Sequence, residues 1–514
     1  MPSHYQKGEK TMTSMSIIVY FAHFIQHHLN HWRDKRIKNR ADLHHLVQYP
    51  EELPQFVCES PVAMRYLQLL GPLAWDQFPE RDLYQNRGTA AVPYAPFVAA
   101  CLIKLDQQFA YMSQLRQYLV DHPALVWLLG FPLVPFLQFS WGFDVEASLP
   151  THRHFTRMLR QIHNPVLQAL LDSSVALIRM ELANVPQGNG HFGQAISLDT
   201  KHILAWVAEN NPKAYINPNK RLDKTCQPKG DPDCKLGCKR KRNQPPPDDE
   251  PPPKSTKKSP RSTNFSANDE YFWGYGSGVV ATKVPNWGEV ILAELTLTFD
   301  QSDVAYFFPL MTDTERRLGF RPKFGALDAA FDAFYVYEFF HSDEHDGFAA
   351  VPFVQHGGYK RTFNPQGLPL CLADLPMPLK STFQSKTGLV EHQKGRYACP
   401  LLFPQPTGRS CPVDHKNWHK GGCVTALPTS IGARLRYQLD RQSDQYKQIF
   451  KQRTATERIN AQAEALGIER PKLRNQKAIA NQNTLIYTLI NLRTFHRIRQ
   501  QKAKIHHALE TIPT

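Results

Sequence analysis

A chain of 514 residues with 61 Lys+Arg against 46 Asp+Glu carries a net charge of +15 and a pI near 9.3. That balance favours a polyanionic partner, because each neutralised phosphate releases counterions. The length suffices for two to four domains with a sizeable core. Nine cysteines, an odd number without the spacing of a small stapled scaffold, argue against a disulfide framework and for a reducing compartment.

The first apolar run, residues 17–25, is too short to span a bilayer. His27, His28, His31 and Arg33 follow it in place of a small-residue cleavage site, so it reads as an amphipathic helix of a cytoplasmic protein. Residues 1–185 read as an all-helical, DNA-binding N-terminal domain. Apolar residues recur at helical spacing over 95–109, 112–120 and 123–130. Thr151 is placed to cap a helix beginning at His152, and a further helix is expected over 164–182. Arg153, Arg157 and Arg160, with Arg497, Arg499 and Lys502 far downstream, offer cations for a DNA backbone.

Residues 192–358 change to strand character, with candidates at 195–207, 271–283, 288–298, 324–327 and 347–355. Helices are expected near 303–318 and from after Asp328 to about 341. Three strands, a helix, then alternating strand and helix specify a mixed α/β fold with one central sheet. Residues 243–263, rich in Pro and Lys, interrupt it as an expected disordered loop. Residues 359–440 form a Cys-, Pro- and Gly-rich insertion, and 441–505 return to helices.

Two strands end on an acid: Gln194-Ala-Ile-Ser-Leu-Asp199 and Lys323-Phe-Gly-Ala-Leu-Asp328. A late helix carries Phe450-x2-Arg453-x3-Glu457-x6-Glu464, with Tyr446, Phe450, Arg453, Glu457 and Glu464 on one face. Ile459, Ala463 and Leu466 face the other way and suit packing on a sheet. Asp332 reads as a helix cap. Three carboxylates far apart in sequence, two on strands and one on a helix, suit a two-metal phosphoryl-transfer site.

This set resembles the DDE transposases of bacterial insertion sequences. Their signature is Tyr-x2-Arg-x3-Glu-x6-Lys, and here Arg453 and Glu457 keep the register while Phe450 and Glu464 replace the tyrosine and lysine. Asp328-Ala-Ala-Phe331-Asp332 is similar to the family's Asp-x-x-Tyr-Asp. Residues 92–130, 148–159 and 478–492 resemble the family's helical front and closing helix. The resemblance implies a ribonuclease-H-like core, a mixed five-stranded sheet flanked by helices, in a prokaryotic, nucleoid-associated enzyme. It implies catalytic and metal-holding roles for Asp199, Asp328 and Glu457 with two Mg²⁺ ions, for which Mn²⁺ can substitute. DNA contacts are expected from Arg453, Arg458, Lys201 and Lys451, Lys451 or Arg458 standing in for the missing lysine. The implied partners are transposon ends and target DNA, bound by at least a dimer when two ends are paired. A structure-specific nuclease on the same fold, or a DNA-binding remnant without catalysis, are the alternatives.

Cys399, Cys411, His415 and Cys423 form C-x11-C-x3-H-x7-C, four N/S ligands that suit a structural Zn²⁺ in number though not in paired C-x2-C spacing. Cys226, Cys234 and Cys238 form a weaker C-x7-C-x3-C group.

Overall fold

In the computed structural model the described residues are 37–39, 41–81, 92–183, 185, 188–211, 222–239, 270–342, 346–354, 361–386, 388–413 and 417–510. The expected N-terminal amphipathic helix and the 243–263 loop lie outside them. The chain divides into two compact units, Met1–Ile162 and His163–Thr514. No helix among the described residues is long and apolar enough to cross a membrane.

The first unit is mainly helical. Its longer helices are α1 (Pro61–Leu70), α2 (Tyr94–Asp106), α3 (Met112–Val120) and α4 (His152–Gln161), with one two-residue antiparallel ladder between 134–135 and 143–144. α2 is buried on nearly all sides, from Pro96 through Leu105, as an apolar run without a polar stripe requires. α4 is amphipathic. Thr151 caps it by accepting from the His154 N–H at 3.3 Å; Phe155, Met158 and Leu159 face inward, and Arg153, Arg157 and Arg160 are exposed.

The second unit is a mixed α/β structure. In chain order it contains α5 (Asn164–Ala183), β1 (Ala195–Leu204), β2 (Lys235–Lys239), β3 (Glu270–Val284), β4 (Gly288–Thr298), α6 (Phe307–Leu318), β5 (Phe324–Leu327), α7 (Phe334–Phe340) and β6 (Phe348–Ala350). Then come β7 (Leu379–Ser385), β8 (His392–Ala398), β9 (Val424–Pro428), α8 (Ile431–Gln438), α9 (Asp444–Phe450), α10 (Thr454–Ala465) and α11 (Gln476–Glu510). The division at residue 162 falls earlier than 185 because α5 packs on α11 and β4, burying Leu167, Leu171, Val175 and Ile178.

The main sheet has six strands where the sequence reading expects five. β4, β3, β1, β5 and β6 lie side by side, and β2 pairs with the first residues of β3. β3 is antiparallel to β1 and β4, while β1–β5 and β5–β6 are parallel. α6 and α7 make the crossovers that parallel strands require. Ile196, Leu198, Val280, Leu292, Phe307, Leu310, Leu327 and Phe340 meet in the core beneath. Gly276 and Gly278 on β3 lie flat against Tyr306, where any Cβ would overlap its ring or hydroxyl.

Residues 359–440 are not the aperiodic stretch the sequence suggests. β7, β8 and β9 form a separate antiparallel sheet in the order β9–β8–β7. The late helix is also not continuous. α9 gives way to a 3₁₀ turn at Lys451–Arg453 before α10 begins.

Candidate active site

β1 emerges from the core at Asp199. Ile196, Ser197 and Leu198 are buried, while Asp199 through His202 are only partly so. Leu198 pairs in register with Leu327 on the parallel strand β5. Asp199 and Asp328 are therefore the next residues of adjacent strands, whose axes lie about 4.8 Å apart. Strand geometry alone sets these two carboxylates side by side.

Their titration reflects this. Burial, with the Asp328 charge adding to it, pushes the Asp199 carboxyl up from 3.8 to about 6, against the Thr200 N–H and Arg453. Burial and the charge of Asp303 raise Asp328, while the Ala330 N–H and Arg453 pull it down. Asp199 accepts from the Thr200 N–H at 2.8 Å and from Asn460 Nδ2 at 3.0 Å. Asp328 accepts from the Ala330 N–H at 2.9 Å, so it caps the 3₁₀ turn 329–331 as well as facing Asp199.

α10 packs on β1 and β3 through Ala455, Thr456, Ile459 and Ala463, the apolar face expected from its spacing. Glu457 lies on the exposed side and, with Asp199, Lys201, Asn460 and Glu464, lines a cleft of about 330 Å³. Asp328 is not among the residues lining that cleft. The Glu457 carboxylate is ion-paired with Arg453 at 2.6 Å, with both side chains substantially exposed. An i,i+4 pair of this kind is worth roughly 0.3–0.5 kcal/mol, a small barrier to swinging Glu457 toward the aspartates. Among the described residues no three His, Cys, Asp or Glu side chains stand close enough to form a metal-ligand group.

Three of the four expected DNA-contacting cations are engaged within the protein. Lys201 bridges Glu469 at 2.7 Å and Glu464 at 3.2 Å. Arg458 pairs with Glu289 on β4 at 2.6 Å. Arg453 lies over the Phe450 ring, 5.7 Å from its centroid, and Phe450 stacks on Tyr446. Lys451 is exposed on the 3₁₀ turn.

Two residues of the site have no motif in the sequence. Asp303 follows β4, accepts from Thr200 Oγ1 at 2.8 Å, and acts on both aspartates. Asn460, one turn after Glu457, is buried, and its Oδ1 has no hydrogen-bond partner. The i,i+3 spacing from Glu457 is the one signal that could have found Asn460. Because Asn460 Nδ2 donates to the Asp199 carboxylate, it stabilises the ionised form. Replacing Asn460 with alanine should raise the Asp199 pKa above about 6, as read by ¹³C NMR titration of its carboxyl. An unchanged or lower value would contradict this role.

Asp332 does not cap α7, whose N-cap is Ala333 without a side-chain cap bond. It is buried and accepts two bonds from Arg436, at 2.8 and 2.5 Å, one from Tyr337 Oη at 2.7 Å and one from the Val354 N–H at 2.7 Å. Its oxygens join α7, α8 and the segment after β6. Of the expected zinc ligands, His415 lies outside the described residues, while Cys399 is buried and Cys411 and Cys423 are partly buried. Cys226 and Cys238 are exposed and Cys234 is buried.

No protein-family model, curated protein or solved structure matches the chain with significance.

Proposed function

We propose that the chain is a DNA transposase of the DDE type, built on a ribonuclease-H-like core. The observation that carries this reading is the register of β1 and β5, which sets Asp199, midway along β1, beside Asp328, the residue just after β5, on two parallel strands. The strand directions, three antiparallel then two parallel, agree with the core the resemblance implies. So does the packing of the Glu457 helix on β1 and β3.

The donor set fits a hard divalent cation. Asp199 and Asp328 offer carboxylate oxygens, Glu457 shares the cleft with Asp199, and the orphaned Oδ1 of Asn460 adds a neutral oxygen beside them. Bound Mg²⁺ or Mn²⁺ would supply an activated water or 3′-hydroxyl and a stabilised leaving oxygen. The chain's own residues do the rest. Asp199 and Asp328 concentrate negative charge where burial makes it costly, Thr200 and Asn460 fix the Asp199 carboxylate, and Arg453 offsets the charge of both aspartates. DNA binding also needs a basic surface, and within the first unit Arg153, Arg157 and Arg160 of α4 are exposed.

The test uses full-length protein, supercoiled plasmid and Mg²⁺ or Mn²⁺. Wild type should nick the plasmid and join a labelled 3′-hydroxyl oligonucleotide to it. Glu457→Gln should lose both reactions and still retard DNA in a gel. Nicking without joining would favour a nuclease. Cleavage by Glu457→Gln at the wild-type rate would overturn the assignment of Glu457. A DNA-binding remnant is the second reading, favoured by the pairing of Glu457 with Arg453 and of Lys201 with Glu464; retardation of DNA without metal-dependent nicking by the wild type would select it.

A further inference from the structure

The β7–β9 sheet has almost no apolar core. Within 361–428 the buried apolar side chains among the described residues are Pro369, Met377, Ala398 and Leu427, together with Cys371 and Cys399. Six of the seven residues of β7 are exposed. A substructure this small needs a staple in place of a core.

The cysteines converge where that staple would sit. Ala398 on β8 pairs with Val424 on β9. Cys399 and Cys423 are the residues immediately beyond that last pair, where the ladder ends. A Cβ on Gly422 would lie 2.6 Å from Cys399 Cβ and 3.2 Å from its Sγ, so only glycine allows this approach. The turn at 371–375 meets the same end of the sheet. The Ala398 N–H bonds to Pro378 O, the Met377 N–H to Pro369 O, and the Cys371 N–H to Leu375 O.

Within this turn the backbone is arranged around sulfur. The Ala373 N–H donates to Cys371 Sγ at 3.4 Å. The Leu372 N–H donates to the Cys423 sulfur. Asp374 takes a left-handed φ of 54° to close the turn. N–H donors aimed at sulfur are the outer-shell contacts that orient a metal-bound cysteine. Cys371, Cys399 and Cys411 all lie within electrostatic reach of Cys423.

We infer that Cys371, Cys399, Cys411 and Cys423 are the ligands of one structural Zn²⁺ ion that holds the β7–β9 sheet together. Cys371 takes the place that the sequence spacing gives to His415. The four sulfurs do not stand as a closed ligand group in this structure. Metal binding would draw the four side chains together from these positions. Binding releases four thiol protons and forms four Zn–S bonds of about 2.3 Å. The inference is independent of the transposase reading, because none of these residues lines the cleft of Asp199.

Full-length protein purified under reducing conditions should carry about one zinc per chain by mass-spectrometric metal analysis. Cys371→Ser, Cys399→Ser, Cys411→Ser and Cys423→Ser should each lose most of it. Cys226→Ser, Cys238→Ser and His415→Asn should keep it. Should a ligand variant fail to fold, cobalt-substituted wild type still decides the matter, since four thiolates give a tetrahedral, all-sulfur cobalt spectrum. Zinc loss in His415→Asn with retention in Cys371→Ser would overturn the ligand set. Metal-free protein with Cys399 and Cys423 joined as a disulfide would overturn the site altogether.

Discussion

Asp199→Asn should abolish metal-dependent DNA cleavage and at the same time make the metal-free protein more stable. On the proposed mechanism the loss should be at least ~10³-fold, about 4 kcal/mol in the barrier, since one of two adjacent carboxylates that would hold the metal is gone. The gain in stability follows from the raised pKa. A carboxyl moved from 3.8 to about 6 by burial and by Asp328 binds its proton more tightly in the folded than in the unfolded chain. Folding stability therefore falls as pH rises from about 4 to about 6, and the whole penalty remains above that. At most ~3 kcal/mol is involved, and a neutral asparagine side chain would avoid it. The orphaned Oδ1 of Asn460 can turn to accept from the new amide, so the substitution leaves no donor facing donor. Urea denaturation with chelator present should show the variant more stable than wild type at pH 8 and equal to it near pH 4. Equal stability at both values would mean that Asp199 is not under electrostatic strain. Added Mg²⁺ should reverse the order, stabilising wild type alone.

Asp332→Ala should cost about 3–5 kcal/mol of folding stability. The substitution strands the largely buried Arg436 guanidinium and removes the acceptor of Tyr337 Oη and of the Val354 N–H. α8 would lose the ion pair that ties it to the turn before α7. Adding Arg436→Met to Asp332→Ala should recover much of the loss, because an apolar side chain does not demand a counter-charge. Chemical denaturation measures both. A loss below about 1 kcal/mol for the single variant would show that Arg436 finds another acceptor. This expectation separates Asp332 from Asp199, where removing the charge is expected to stabilise.

The contrast also shows why some of the site is readable in the sequence and some is not. Asp199 and Asp328 are each the first acid after a short apolar run that reads as a buried strand, although β1 itself continues past Asp199 to Leu204. Glu457 is legible because Ile459, Ala463 and Leu466 define the packed face of its helix and leave it on the other. Asp303 and Asn460 reach the site only through pairings 103 and 261 residues long, with Thr200 and Asp199 respectively. No local pattern encodes those. The break at Lys451–Arg453 is equally silent, since neither glycine nor proline marks it. The β7–β9 sheet escapes notice because β7 is almost wholly exposed and has no buried alternate face, and β9, which does alternate, is only five residues long. Cys371 escapes because it sits in a turn far ahead of the other three cysteines. The first boundary is misplaced for a related reason. α5 reads as one more helix of a helical domain, and only its packing against α11 and β4 assigns it to the sheet.

The most direct test asks whether Asp199, Asp328 and Glu457 surround one metal site. Full-length protein loaded with Fe²⁺ in place of Mg²⁺ and treated with ascorbate and peroxide is cut by hydroxyl radicals wherever the iron is held. The expected result is backbone scission near residues 199, 328 and 457 together, suppressed by excess Mg²⁺ and absent from Asp199→Asn. Scission near 199 and 328 without 457, or at none of the three, would contradict a shared site.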